Sequence, residues 1–143
     1  MRVWFFLLAF AGISACKAKS IHTQTKNTMQ QKDIISLVKK NDIDAVKTAL
    51  QNGATVNTTD ESGRSLLLIA TNDKNVEMAK LLVSFKADVN QQAQNMDNPF
   101  LYAGASGQTE LVKLFLENNA RFDLFNRYGG TALIPACERG HVE

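Results

Sequence analysis

The sequence predicts an all-α fold, a solenoid of helix–turn–helix units joined by short hairpin loops. Three observations carry that reading. Residues of one type return every 33 positions. Each period opens on a good helix N-cap. Two short apolar runs follow the cap, separated by a residue able to end a helix.

The chain has 143 residues, 45% of them hydrophobic, with sixteen basic and fourteen acidic side chains and a formal net charge of +2. One domain fits this length. The basic residues, among them Lys39, Lys40, Lys47, Lys80, Lys86 and Lys113, alternate with acids, so no basic face for nucleic acid is expected.

Residues 1–15 read as a signal peptide. Met1-Arg2 supplies a positive end, Val3 to Ile13 is an apolar or small-residue run, and Ser14-Ala15-Cys16 closes it with small side chains. That run is too short for a stable transmembrane helix. Ile13-Ser14-Ala15-Cys16 resembles the bacterial lipobox (13–16), which implies Cys16 as a lipid-carrying N-terminus after cleavage. Acyl chains contribute about 0.8 kcal/mol per buried methylene, and stable anchoring needs more than one chain. Lys17 follows Cys16 where the inner-membrane retention signal would have Asp, so the resemblance implies an outer-membrane lipoprotein facing the periplasm or the surface. The alternative is a signal cut near Ala15 that releases a soluble periplasmic or secreted protein. Cleavage would leave a net charge of +1, since Arg2 is the charged group removed.

Residues 16–31 then form a flexible tether, polar and nearly free of large apolar side chains. His22 stands there alone, and Cys137 would have no disulfide partner.

The repeats follow over 27–143. Ala54, Ala87 and Ala120 keep the 33-residue interval, as do Ala70, Ala103 and Ala136, and Lys47, Lys80 and Lys113. Asp44, Glu77, Glu110 and Glu143 keep it too, with Asn57, Asn90 and Asp123. Ser65, Asn98 and Thr131 share one rung as N-caps, and Pro99 follows its cap where a missing N–H costs nothing. A first helix then carries Leu67, Leu68 and Ala70, or Phe100, Leu101 and Ala103, or Leu133, Ile134 and Ala136. The alanines are small because neighbouring units approach closely there.

Asn41, Lys74, Gly107 and Gly140 should end the first helices. Lys74 breaks the pattern, and a strained or differently built turn is expected there. The acids Asp44, Glu77 and Glu110 open the second helices, near the positive helix terminus. Each has a lysine three residues on, a solvent-facing pair giving about 0.2–0.5 kcal/mol. The second helices' apolar faces are Val46, Ala49 and Leu50, then Ala79, Leu81, Leu82 and Val83, then Val112, Leu114, Phe115 and Leu116. Gly53, Lys86 and Asn119 end these helices.

This pattern resembles the ankyrin repeat. The family's threonine-proline-leucine-histidine motif stands as Ser65-Leu66-Leu67-Leu68, Asn98-Pro99-Phe100-Leu101 and Thr131-Ala132-Leu133-Ile134. Its closing motif stands as Gly53-Ala54-Thr55-Val56-Asn57 and Lys86-Ala87-Asp88-Val89-Asn90. No unit keeps the motif histidine, so apolar packing replaces its hydrogen bonds. In the family's register the units run 27–59, an N-terminal cap repeat with polar Gln30, Gln31 and Lys32, then 60–92, 93–125 and a truncated 126–143. The truncation suggests a longer protein or a frayed half-repeat, because an uncovered Leu or Ile forfeits roughly 1.5–3 kcal/mol.

No catalytic, cofactor or metal constellation is expected. His141 and Glu143 fall in the helix-start motif, Cys137 reads as a small core residue, and Tyr128-Gly129-Gly130-Thr131 lacks the lysine and length of a phosphate loop. The resemblance instead implies a protein partner, bound by hairpin tips and first-helix ends, with no nucleic acid and no small-molecule substrate. Tip positions are Thr59 to Ser62, Gln92 to Asn95 and Phe125 to Tyr128. Inner-helix ends are Asn72 and Asp73, Ala105 and Ser106, and Glu138 and Arg139. Interface hot spots favour Tyr, Trp and Arg, which selects Arg127, Tyr128 and Phe125 as partner-binding residues. Asp60, Glu61, Gln94 and Asn95 accompany them on the earlier tips. Two other expectations follow from the resemblance: an immunity or stress-protective accessory protein that binds a toxin or enzyme, or the targeting portion of a longer enzyme.

Overall fold

The structure, a computed structural model, describes residues 33–131. The signal peptide, Cys16, the tether, Gln30 to Lys32 and the helix expected after Thr131 lie outside the described residues. So do Ala136, Cys137, Glu138, Arg139, Gly140, His141 and Glu143.

The described chain is helical and turns back on itself at regular intervals. A helix over 33–39 (α1) is followed by α2 (Ile43–Gln51), α3 (Leu66–Asn72), α4 (Val76–Ser84), α5 (Pro99–Ala105) and α6 (Thr109–Glu117). The starts of α2, α4 and α6 step by 33 residues, and so do those of α3 and α5. Helices of one kind pack on their counterparts in the next unit, α3 on α5 and α2 on α4 on α6, while α3 with α4 and α5 with α6 form hairpins. An isolated antiparallel bridge pairs Thr59 with Ser65.

Side-chain caps set the helix starts. Ser65 Oγ accepts the Leu68 amide at 3.1 Å, and Asn98 Oδ1 accepts that of Leu101 at 2.8 Å. Pro99 takes the first helical position of α5, as its lack of an N–H favours. The second helices are capped as well, by Asp42 on the Ala45 amide and by Asn75 on that of Met78, both at 3.0 Å. Gln108, on the same rung, makes no cap bond; its side chain reaches back to the Thr71 carbonyl at 3.1 Å. Asp44, Glu77 and Glu110 sit in the first turns, where the helix dipole favours acids.

Among the described residues the turn positions are all left-handed: Asn41 (φ +59°), Lys74 (+54°) and Gly107 (+67°) after first helices, Gly53 (+90°), Lys86 (+66°) and Asn119 (+64°) after second ones. Lys74 therefore keeps its neighbours' turn and accepts the strain that comes with a side chain there.

The core is one continuous strip. Ile34 and Val38 of α1, Val46 and Leu50 of α2, all of α3 except Asn72, and Met78, Ala79, Leu82 and Val83 of α4 are buried. Phe100, Leu101 and Ala103 of α5 continue it, with Leu111 and Phe115 of α6. Two expectations about helix faces change. Leu111 and Met78 are fully buried core residues that were not expected there, and Leu116 is 41% exposed although Val83 and Leu50, one and two units back, are only 7% and 6% exposed. The solvent-facing lysine pairs also differ: Lys80 bonds Glu110 of the next unit at 2.6 Å rather than Glu77 three residues before it.

Candidate interaction surface on the hairpin tips

The three tips share one backbone. The Asp60 amide donates to the Arg64 carbonyl (3.0 Å), that of Ala93 to Asp97 (2.8 Å) and that of Asn126 to Gly130 (3.0 Å). A left-handed residue completes each turn: Gly63 at φ +73°, Met96 at +63° and Gly129 at +72°. Methionine in that place carries strain, and its side chain is exposed.

The first residue of each tip organises the rest. Asp60 Oδ1 accepts the amides of Ser62 and Arg64, both at 3.0 Å. Asn126 Oδ1 does the same for Tyr128 (3.0 Å) and Gly130 (2.9 Å). Ala93 has no such oxygen; there Asn95 Oδ1 takes the Asp97 amide at 3.2 Å, and Gln92 Nε2 donates to the Met96 carbonyl at 2.7 Å.

Neighbouring tips are tied to one another. The Gln94 amide donates to Ser62 O and the Arg127 amide to Asn95 O, each at 3.3 Å. Gln94 Nε2 reaches Glu61 O at 3.1 Å, and Gln92 Nε2 reaches Phe125 O at 3.0 Å. A Cβ on Gly63 would stand 3.2 Å from Gln94, so the absence of a side chain lets the first two tips lie this close.

The residues selected from sequence fall into two groups. Asp60 is committed to its own tip: its side chain is 8% exposed, with Arg64 Nε at 2.9 Å and Nη2 at 2.7 Å, and Lys39 Nζ at 3.9 Å. Burial alone would raise its carboxyl. Hydrogen bonds from the Arg64 side chain and from the amides of Arg64 and Ser62, with the guanidinium charge, outweigh burial and hold it below the ordinary carboxylate value. Asn95 and Gln94 spend their side-chain amides inside the row, on Asp97 and on Glu61 O. Glu61, Phe125, Arg127 and Tyr128 face solvent, Tyr128 at 85% exposure. Among the described residues Arg127 forms no ion pair.

Sequence reasoning missed two members of this surface. Arg64 joins Ser62, Gln94, Asn95 and Arg127 around a cleft of about 230 Å³ that crosses all three tips. Its position four residues after Asp60 was the available signal. Met96 was legible as the non-glycine on the rung of Gly63 and Gly129. No cluster of three or more metal-ligating side chains occurs among the described residues, and no helix there is long and apolar enough to cross a membrane.

The family sequence described as "Ankyrin repeats (3 copies)" matches residues 34–126 and 85–143. The chain belongs to the ankyrin-repeat family. Over 110 residues it is 32% identical to an ankyrin repeat protein of Escherichia coli (strain K12), YahD, covering 77% of this chain and 55% of YahD. Over 100 residues it is 36% identical to ankyrin repeat domain-containing protein 63 of Mus musculus, covering 67% of this chain and 26% of that protein. The chain thus spans about half, or less, of the relatives it matches. The solved ankyrin repeat domain ABAYE2397 from Acinetobacter baumannii AYE is 39% identical with a TM-score of 0.74, covering 77% of this chain and 56% of that one. The ankyrin repeat protein EF0377 is 39% identical with a TM-score of 0.72, at 76% and 55% coverage. Ankyrin repeats generally act as non-catalytic modules for protein–protein interaction.

Proposed function

We propose that this ankyrin-repeat chain is an exported protein-binding module, held on the outer membrane by lipid at Cys16, and that it captures its partner along the hairpin tips. The observation that carries the binding surface is the third tip, where an exposed tyrosine adjoins an arginine that has no ion-pair partner among the described residues. Large amphipathic side chains of this kind dominate interface energies once a partner excludes water. Export and anchoring are supported by the charged end, apolar core and Ile13-Ser14-Ala15-Cys16 run in the sequence.

Affinity capture with the complete chain tests the surface. Replacing Arg127 and Tyr128 together by Ala is expected to reduce partner recovery at least tenfold while circular dichroism and the melting temperature stay unchanged; undiminished recovery overturns this assignment. Membrane fractionation tests the anchor. Cys16→Ser is expected to abolish membrane partitioning and the lipid-shifted mass, and retention of both overturns it.

A further inference from the structure

The cleft across the tips has a chemistry more specific than protein binding in general. Its described lining is Ser62 and Arg64 from the first tip, Gln94 and Asn95 from the second, and Arg127 from the third. The charged groups among them are two guanidiniums. The nearby acids do not offset both: Asp60 is turned inward onto Arg64, Asp97 accepts from Asn95 Nδ2 at 2.7 Å, and neither Asp97 nor Glu61 lines the cleft.

Counting donors narrows the ligand. Arg64 gives Nε and one Nη2 hydrogen to Asp60, which leaves the rest of its five donors and fixes the orientation of its planar fork. Among the described residues the Arg127 guanidinium forms no ion pair. The Gln94 and Asn95 side-chain amides each commit one N–H within the row, so the charged donors the cleft offers are the two guanidiniums, with a serine hydroxyl beside them.

An acceptor-only, negatively charged group answers that arrangement, and a carboxylate matches the guanidinium fork in geometry. Phosphate recognition usually draws on converging backbone N–H groups. Here four of the five lining amides, those of Ser62, Arg64, Gln94 and Arg127, donate within the tips, so no converging set of N–H groups is left for an anion. We infer that the cleft takes an acidic side chain of a protein partner, its carboxylate clasped between Arg127 and Arg64 while Tyr128 covers the adjoining chain. This inference rests on the tip row being the binding surface.

The test uses the full chain and a phage-displayed random peptide library. Selected peptides are expected to carry Asp or Glu at a fixed position. Fluorescence anisotropy with a selected peptide should show at least a tenfold loss of affinity on changing that Glu to Gln, and a similar loss with Arg127→Glu. Arg127→Lys should lose less, and affinity should fall several-fold as salt is raised from about 50 to about 300 mM. Peptides without a fixed acid, no enriched peptides at all, or acid-dependent binding indifferent to Arg127→Glu would overturn the inference. A selected peptide that binds only when its acidic position is replaced by phosphoserine also overturns it. The two readings fail separately. Acid-free peptides that still lose binding when Tyr128 is replaced leave the tip row standing and remove the carboxylate; binding indifferent to both Arg127 and Tyr128 removes both.

Discussion

Asn90 Oδ1 accepts the amide of Arg121 at 2.8 Å, while the same side chain donates Nδ2–H to the Asn119 carbonyl at 2.9 Å. One amide thus bonds twice to the next unit. One unit earlier the Asn57 side chain makes the first of these bonds, taking the Asp88 amide at 2.9 Å. The 33-residue asparagine ladder is therefore an inter-repeat clamp. Asn90→Ala should cost about 1 kcal/mol, because both partners are near the surface and water recovers part of the loss. Urea unfolding measures this, and amide exchange at Arg121 should quicken with it; an unchanged midpoint would show that the clamp contributes nothing.

Lys74 offers the opposite sign. Its φ of +54° matches Asn41 and Gly107 on the same rung, in a region that disfavours a side chain. Lys74→Gly should stabilise the chain by about 0.5–1 kcal/mol, after the greater freedom glycine gives the unfolded chain is subtracted. Thermal melts would show a rise of a few degrees. A fall would mean the lysine stem packs more usefully than its backbone strain costs.

Asp60 predicts a pH dependence. Its carboxyl is held below the ordinary value of 3.8 in the folded chain. Between the two values the unfolded state binds the proton more often, so folding loses stability as pH falls. The contribution is fully present above about pH 4 and disappears as pH drops through the lowered folded value. Asp60→Asn should flatten this acid limb and keep the turn, since Asn126 makes the same two amide bonds with an amide oxygen. Asp60→Ala should cost about 1–2 kcal/mol at neutral pH. Unfolding midpoints from about pH 6 to about pH 2.5 test both, and equal acid limbs for wild type and Asp60→Asn would refute the account.

Ala103 is fully buried on α5, which packs on α3, the helix that carries the equally buried Ala70. Ala103→Leu should destabilise by about 1–3 kcal/mol, since added methylenes must displace packed helices. Calorimetry reads this directly, and a neutral result would reveal slack between the units.

Features set by local chemistry were legible in the sequence. Ser65 and Asn98 cap helices, the alanines pack between them, and the left-handed ends fall on rungs where glycine or asparagine recurs, Lys74 and Lys86 keeping the same turn. Helix phase was less legible. In α6, apolar residues at 111, 112, 114, 115 and 116 leave several faces open, and packing on α5 and α4 selects Leu111 and Phe115. The partner of Lys80 was not legible because Glu77 and Glu110 are equally plausible by spacing; the approach of the units decides for Glu110. At the tips, sequence picked out Arg127 and Tyr128 by residue type. It could not place Arg64 in the same cleft, because that requires knowing that Asp60 turns inward and swings Arg64 across the row.

The amide links from Gln94 to Ser62 and from Arg127 to Asn95 have a consequence for how such a surface diversifies. They run through main-chain atoms, so these two links hold successive tips together whichever side chains stand at Ser62 and Asn95. Ser62, Asn95 and Tyr128 occupy one rung with three different chemistries on the same scaffold. A partner therefore meets a ruler whose marks are fixed and whose symbols are exchangeable. Specificity can drift one letter at a time without the fold having to be renegotiated.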